Sequence, residues 1–207
     1  MIAIVDYGVG NLFSLKSSLA AIGAEAVVTG DADALRAADR IILPGVGAFG
    51  DAADKLAASG LRETVLAESQ AGKPLLGICL GMQLLFDKSL EYGEHAGLGL
   101  IPGTVVDLTP VLPEGLKVPH IGWNALKLSA PDHPLLKYTR AGDCVYFVHS
   151  FYAVNCAEYT LATAEYGVDV TAVVARGNVM GCQFHPEKSG SVGLNILRAF
   201  CEMETPV

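Results

Sequence analysis

The sequence has no apolar run long enough to cross a bilayer and few charges of either sign. Its longest uncharged apolar stretch, residues 74–86, falls well short of the ~20 residues that a spanning helix needs. Met1 leads straight into Ile2-Ala3-Ile4, without the basic segment or cleavage site of a secretory signal. We therefore expect a cytoplasmic protein without a membrane partner.

Basic residues are also scarce. Lysine and arginine number 14 against 22 acidic residues, which gives a net charge of -8. Binding to a phosphate backbone requires a basic surface, so nucleic acid is excluded as a partner.

Cysteines are few and scattered, at positions 79, 144, 156, 182 and 201. They lack the close pairs typical of zinc sites and the density of a disulfide scaffold, and we interpret them as free thiols. No cluster of histidine, cysteine and acidic residues has ligand spacing, so we expect neither a metal nor a cofactor.

The apolar content predicts one large core. Hydrophobic residues make up 51% of the 207 positions, and the mean hydropathy is +0.40. A chain of this length most often forms one domain, which we assign to residues 1–207.

The first half of the chain alternates short strands with amphipathic helices. Strands are predicted at residues 2–6, 26–28, 41–43 and 74–78, and helical stretches at 11–22 and 51–69. Asn11 and Asp51 mark helix starts, and Gly23 marks an end. This alternation predicts a mainly parallel central sheet with helices on both faces.

The second half is richer in strand patterns. Predicted β segments are residues 104–108, 144–152, 159–164, 170–175 and 179–184. A last amphipathic helix is predicted over residues 191–203. We therefore predict an α/β fold with a β-rich C-terminal half.

One cysteine lies in a motif that suits a nucleophile. Cys79 is the centre of Gly77-Ile78-Cys79-Leu80-Gly81, between a buried strand and a predicted helix at residues 80–86. Such a nucleophile elbow exposes the central side chain at the sheet edge, and the helix amides favour its thiolate. The alternative is that Cys79 is one more buried small residue.

His185 is the candidate base among five histidines. In Gln183-Phe184-His185-Pro186-Glu187 the proline favours an extended backbone at residue 185, so the side chains of 185 and 187 project to one side. Glu187 would then orient the imidazole, as the third member of a triad does. Alone, the tripeptide is also compatible with a surface turn.

A glycine-rich turn follows the third strand, at residues 43–50. Thioester chemistry needs backbone N–H donors for an oxyanion, and Val46 or Gly47 would supply one beside that of Leu80. Gly45, Gly47 and Gly50 also match the dinucleotide fingerprint. Against nicotinamide binding, the motif follows the third strand, and the acids about 20 residues on lie in a predicted helix.

Together these motifs resemble those of the triad class (class I) of glutamine amidotransferases, whose fold is flavodoxin-like. Within that class the sequence closely resembles the family of glutaminase subunits of imidazole glycerol phosphate synthase. The matching segments are residues 6–11, 43–49, 77–86, 119–124, 146–152 and 181–189. Cys182 and Gly190 depart from the family pattern without touching the proposed triad.

The resemblance implies that Cys79 attacks glutamine and that His185 and Glu187 assist it. Glutamine would be held by Gly47, Gln83, His149, Ser150 and Phe151. Gln83 is plausible locally, because it follows Cys79 by one helical turn.

The family's ammonia passes to a (β/α)8 cyclase subunit, in a heterodimer of the histidine pathway. We expect Asn11, Trp123, Tyr138 and Lys188 to face that subunit. Three alternatives stay open: the same chemistry serving another synthase, a dinucleotide-dependent oxidoreductase, and a non-catalytic subunit with an inactive triad.

Overall fold

The computed structural model describes residues 1–203. The strands are β1 Ile2–Val5, β2 Ala26–Thr29, β3 Arg40–Gly45, β4 Leu75–Cys79, β5 Phe86–Ser89, β6 His95–Ala96, β7 Ile101–Asp107, β8 His120–Leu128, β9 Cys144–His149, β10 Phe151–Val154, β11 Thr160–Glu165, β12 Asp169–Arg176 and β13 Val179–Cys182. The helices are α1 Leu12–Ala21, α2 Ala32–Ala37, α3 Phe49–Ala58, α4 Leu61–Gln70, α5 Leu80–Leu84 and α6 Gly190–Glu202. None of these helices is long and apolar enough to cross a membrane.

A nine-stranded mixed sheet forms the centre of the molecule. Its order is β2-β1-β3-β4-β13-β12-β11-β8-β9. The pairs from β2 to β13 are parallel, and those from β13 to β9 are antiparallel. The α/β prediction is confirmed, while the parallel part makes up only half of this sheet. A second sheet, β10-β7-β5-β6, lies beside it.

Two apolar cores cover the two faces of the sheet. Because side chains alternate along a strand, Ile2 and Ile4 of β1 join one core and Ala3 and Val5 join the other. Helices α1 and α6 pack on the first core, and α2, α3 and α4 on the second. The prediction of helices on both faces is therefore confirmed.

Two predicted helices were wrong in extent. The stretch 51–69 forms α3 and α4, which Gly60 separates in a left-handed conformation with φ of 74°. Helix α3 begins at Phe49 after Ala48 as N-cap, so Asp51 lies in its first turn and does not precede it. Helix α5 ends at Leu84, and Phe86, predicted as helical, begins β5.

The β-rich half also differs from its prediction. Residues 144–152, predicted as one run, break at Ser150 into β9 and β10, which join different sheets. Strand β8, nine residues long, was not predicted. The last helix was predicted within one residue at each end. The last four residues of the predicted domain, 204–207, lie outside the described residues.

Candidate active site

Cys79 stands on a strained turn between β4 and α5. Its backbone has φ of 55° and ψ of −112°, an uncommon conformation for a residue with a side chain. The two flanking glycines allow close backbone approach. A Cβ on Gly81 would lie 1.8 Å from the carbonyl oxygen of Leu43, and one on Gly77 would lie 2.6 Å from that of Gly81. The motif therefore forms a tight elbow that β3 supports.

His185 and Glu187 meet at the carboxyl end of β13. The Nδ1–H of His185 donates to Glu187 Oε1 at 2.8 Å, and both side chains are buried. Strand β9 fixes this segment, because the amide of His185 donates to the carbonyl of Tyr146 at 3.0 Å. The buried hydroxyl of Ser189 donates to the His185 carbonyl at 2.7 Å and accepts from the Tyr146 amide at 2.9 Å.

The imidazole of His185 is hydrogen-bonded to Glu187 and shares the cavity wall with Cys79. Burial lowers its pKa, but hydrogen bonds to the Cys79 and Glu187 side chains, and the negative charge of both groups, outweigh burial and raise the pKa to about 9. At neutral pH the imidazole is therefore protonated when Cys79 is a thiolate. The structure thus brings together Cys79, His185 and Glu187, which lie far apart in the sequence.

Gln183 is a site residue that sequence reasoning missed. Its side-chain amide, fully buried, donates to the Cys79 sulfur at 3.7 Å. Its oxygen accepts from Gln83 Nε2 at 3.0 Å, and Gln83 also donates to the Phe151 carbonyl at 3.0 Å. Both amide protons of Gln83 are therefore used within the protein, while its oxygen remains available. The only signal for Gln183 was its place two residues before His185.

A cavity of about 370 Å³ opens above the elbow. Its lining contains every residue predicted to bind glutamine or the oxyanion, namely Val46, Gly47, Leu80, Gln83, His149, Ser150 and Phe151. Cys79 and His185 lie in the same wall. Glu91 and Tyr92 also line the cavity, and no sequence motif pointed to them. The cavity is large enough to hold a small amino acid.

The glycine-rich turn lies next to the elbow because β3 and β4 are neighbours. Gly45 pairs with Cys79 in the parallel register, so Val46 and Gly47 extend beside Leu80. The Tyr7 hydroxyl anchors the start of the turn by donating to the Pro44 carbonyl at 2.7 Å. A Cβ on Gly50 would lie 2.7 Å from the His95 ring, so packing explains the third glycine of the fingerprint.

The four predicted interface residues do not all lie together. Trp123 is half exposed and packs edge-on against Tyr146, with ring centroids 6.0 Å apart. Lys188 lies over the Tyr146 ring, with Nζ 5.8 Å from the ring centroid, and also lines the cavity. Asn11 borders a smaller cavity next to His185 and Glu187.

Tyr138 is the exception among the predicted interface residues. Its hydroxyl donates to Glu202 Oε2 at 2.6 Å, at the end of α6 remote from Lys188. Glu202 follows Gly190 by twelve helical steps, which corresponds to about 18 Å. The aromatic residue beside Trp123 is Tyr146, so Tyr138 lies apart from the other three, and its place at the interface stays a prediction.

Among residues 1–203, no group of three or more histidine, cysteine, aspartate or glutamate side chains is arranged to hold a metal ion. The polar side chains of the cavity lining are one thiol, one amide, two imidazoles, one carboxylate, two hydroxyl groups and one lysine. These groups suit an amide substrate and acyl transfer to sulfur.

Comparison with known proteins defines the class. The family model for class-I glutamine amidotransferases matches residues 3–203, and the chain therefore belongs to this family of glutamine amidotransferase enzymes. Solved structures of similar fold include one described as a glutamine amidotransferase, with a TM-score of 0.75 and 21% identity over 98% of both chains. Another is PurLQS from Thermotoga maritima, with a TM-score of 0.75 and 22% identity over 97% of this chain and 96% of the other.

Sequence relatives define the particular family. A protein from Bacillus licheniformis named imidazole glycerol phosphate synthase subunit HisH is 53% identical over 203 residues, covering 97% of this chain and 95% of the relative. The protein of the same name from Caldanaerobacter subterraneus subsp. tengcongensis is 49% identical and covers 98% of both chains. Within its class, the chain is thus a member of the HisH family.

Proposed function

We propose that this chain hydrolyses L-glutamine to glutamate and ammonia through a thioester on Cys79. The observation that carries the proposal is the placement of Cys79 and His185 in one wall of the cavity, with Glu187 hydrogen-bonded to the far nitrogen of His185. Membership of the class-I amidotransferase family supports glutamine as the substrate.

The first step follows from the charge state of the pair. The Cys79 thiolate attacks the carboxamide carbon, and the imidazolium of His185 protonates the amide nitrogen so that it leaves as ammonia. Glu187 holds the proton-bearing Nδ1 of His185, which directs Nε2 toward the sulfur and the leaving group.

The second step hydrolyses the thioester. The now neutral His185 takes one proton from water, whose oxygen attacks the acyl carbon, and the sulfur leaves as thiolate. The second water proton leaves with the γ-carboxyl group of glutamate, which ionises in solvent. Cys79 thiolate and the His185 imidazolium are restored.

Backbone amides near the elbow are the proposed donors to the oxyanion. The Leu80 amide begins α5, and Val46 and Gly47 lie across the sheet register from it. The anchor from Tyr7 to Pro44 holds the start of the turn, while Val46 and Gly47 are exposed beyond it.

Charged groups in the cavity match those of a free amino acid. Glu91 is the acidic side chain in the lining, and its Oε2 accepts from the Phe49 amide at 2.8 Å. Its other oxygen is the proposed acceptor for the α-ammonium of glutamine. Lys188 supplies a positive charge for the α-carboxylate in the same lining. Gln83, Ser150 and Phe151 complete the proposed pocket.

The ammonia is proposed to pass to the cyclase subunit of imidazole glycerol phosphate synthase, in a cytoplasmic heterodimer of histidine biosynthesis. The subunit names of the relatives support this assignment. Ile121 and Trp123 lie two residues apart on β8, so their side chains project to the same exposed side of the strand. This exposed pair suits an apolar contact with the cyclase subunit, beside Asn11 and Lys188.

Glutamate release from glutamine tests the proposal, measured with and without the cyclase subunit and its ribulosyl ligand. We expect release mainly with the liganded partner, and a loss of about 10³-fold or more in Cys79→Ala. Cys144→Ala, which removes an exposed thiol outside the cavity, is the matched control and should keep full activity. Wild-type activity in Cys79→Ala would refute the nucleophile, and no response to the partner would refute the pathway.

A further inference from the structure

A chain of hydrogen bonds runs across strands β11, β8 and β9 of the large sheet to the cavity. Asn124 Nδ2 donates to the Glu165 carbonyl at 2.9 Å, and its Oδ1 lies 2.7 Å from His120 Nε2. His120 Nδ1 lies 2.9 Å from His149 Nε2, and His149 Nδ1 lies 2.9 Å from the Phe151 carbonyl oxygen. Both rings are therefore bonded through both nitrogens.

The direction of the bond between the rings follows from its ends. A carbonyl only accepts, so His149 carries a proton on Nδ1. Burial, the largest effect on His149, lowers its pKa to about 4 and keeps the ring neutral, which leaves Nε2 as an acceptor. His120 Nδ1 is then the donor, and it fixes the tautomer of His149.

The Asn124 amide holds the other side of His120. A cationic His120 donates from Nε2 to the amide oxygen as placed. Turning the amide by 180° would set its oxygen against the Glu165 carbonyl oxygen, so the bond from Nδ2 to that carbonyl keeps the amide oxygen facing His120. Burial lowers the pKa of His120 and the bond to Asn124 opposes this effect, and loss of the second ring proton would remove one of the two hydrogen bonds that His120 donates.

Packing restricts the position and rotation of the His120 ring. It is fully buried, opposite His149 in the pairing of β8 with β9. Its ring is stacked on Tyr166 and on Phe147, with centroid distances of 3.9 and 4.9 Å. His120 does not line the cavity, so it acts on the cavity only through His149.

We propose that His120 is a positioning residue of the glutamine site, which acts through His149 on the Phe151 carbonyl. That carbonyl also accepts from Gln83, which bonds Gln183, which in turn bonds the Cys79 sulfur. His149 therefore braces the pocket wall, because both its nitrogens are occupied and none is left for glutamine. The inference rests on the proposed function, since it takes the cavity to bind glutamine.

Covalent labelling of Cys79 separates binding from reactivity. A chloroketone analogue of glutamine must first occupy the pocket, then forms a thioether with the Cys79 sulfur as chloride leaves. Iodoacetamide alkylates the same sulfur without needing the amino-acid site. Saturation kinetics on the full-length chain, followed by mass spectrometry of Cys79, give the half-saturating concentration of the chloroketone.

His120→Phe is the principal variant, because phenylalanine keeps a ring between Phe147 and Tyr166 but removes both nitrogens. We expect the half-saturating concentration to rise about tenfold, since the partner of His149 is lost, with the iodoacetamide rate within about twofold of wild type. Asn124→Leu keeps both imidazoles and should raise the half-saturating concentration of the chloroketone about threefold. Tyr166→Phe, which keeps the stacking ring, is the control and should change neither value.

The outcomes distinguish the two levels of the proposal. If the chloroketone labels wild-type Cys79 without saturation, the glutamine site itself is refuted. If it saturates normally on the wild type and equally well on His120→Phe, the role of His120 is refuted. Equal changes toward both reagents would also overturn it, because they indicate general loosening of the elbow. Should His120→Phe fail to fold, wild-type saturation in Asn124→Leu would overturn the inference.

Discussion

The two halves of the large sheet contribute to the active site in different ways. The parallel half supplies the proposed nucleophile through local geometry, because two glycines, a strand end and a helix start within five residues fix Cys79. The antiparallel half supplies the proposed base and one cavity wall through long-range pairing. The backbone amide of His185 donates a hydrogen bond to the Tyr146 carbonyl on β9, and His149 pairs with His120 on β8.

The two parts of the site are therefore sensitive to different kinds of substitution. The elbow depends on backbone contacts that any added side-chain atom would break. The base and wall depend on side-chain hydrogen bonds, which can be removed one at a time without filling space. The site itself lies at the seam, where β13 pairs with β4 on one side and β12 on the other.

The largest effect is expected from the antiparallel side, in Glu187→Gln. We expect kcat/KM to fall roughly 10²–10⁴-fold, because the His185 imidazolium loses its buried counter-charge. The imidazolium is the acid of the first step, so activity should fall as pH rises through about 9 in the wild type. In the variant, this alkaline limb of the pH profile should move to lower pH by about one pH unit.

A pH profile of glutamate release checks this prediction. Glu165→Gln is the matched control, since Glu165 is exposed and paired with Lys127, and its profile should match the wild type. An unchanged alkaline limb in Glu187→Gln would show that Glu187 does not raise the pKa of His185.

Gly81→Ala probes the parallel side. Its Cβ would lie 1.8 Å from the Leu43 carbonyl oxygen, so the backbone must move. We expect a loss of about 3 kcal/mol in the free energy of unfolding, measured by urea titration. Gly181→Ala meets the Met82 side chain at 2.7 Å, which can shift, and should cost about 1 kcal/mol. Equal losses would contradict the backbone contact as the cause.

The smallest effect concerns the proposed docking face. Trp123→Ala should weaken binding of the cyclase subunit about 30-fold, as expected for an aromatic anchor. Tyr138→Ala serves as control, because that side chain bonds Glu202 away from this face, and should leave the Kd unchanged. Calorimetric titration measures both. If Tyr138→Ala were the more damaging change, the face would be misplaced.

The sequence predicted the parallel half well because its signals are local. Strand, glycine and helix follow one another around Cys79, and continuous apolar runs mark β1, β3 and β4. Strand β8 escaped prediction because three of its inward or half-buried positions are His120, Gly122 and Asn124, which hide the apolar alternation. The break at Ser150 carries no proline or glycine to mark it.

Site residues were likewise predicted where their signal is local in the sequence. Cys79, His185 and Glu187 belong to short motifs and were found. Gln183 and His120 act through partners that only the fold brings near, since Gln183 reaches a sulfur 104 positions away. Glu91 lies in a loop whose entry to the cavity depends on the second sheet.

The most direct measurement of the central claim is mass spectrometry of the chain quenched in acid during turnover of glutamine with the liganded cyclase subunit. The proposed mechanism predicts a γ-glutamyl adduct on the peptide that contains Cys79, and its absence from the peptides of the other four cysteines. Continued turnover with unmodified Cys79, or an adduct on another cysteine, would contradict the mechanism.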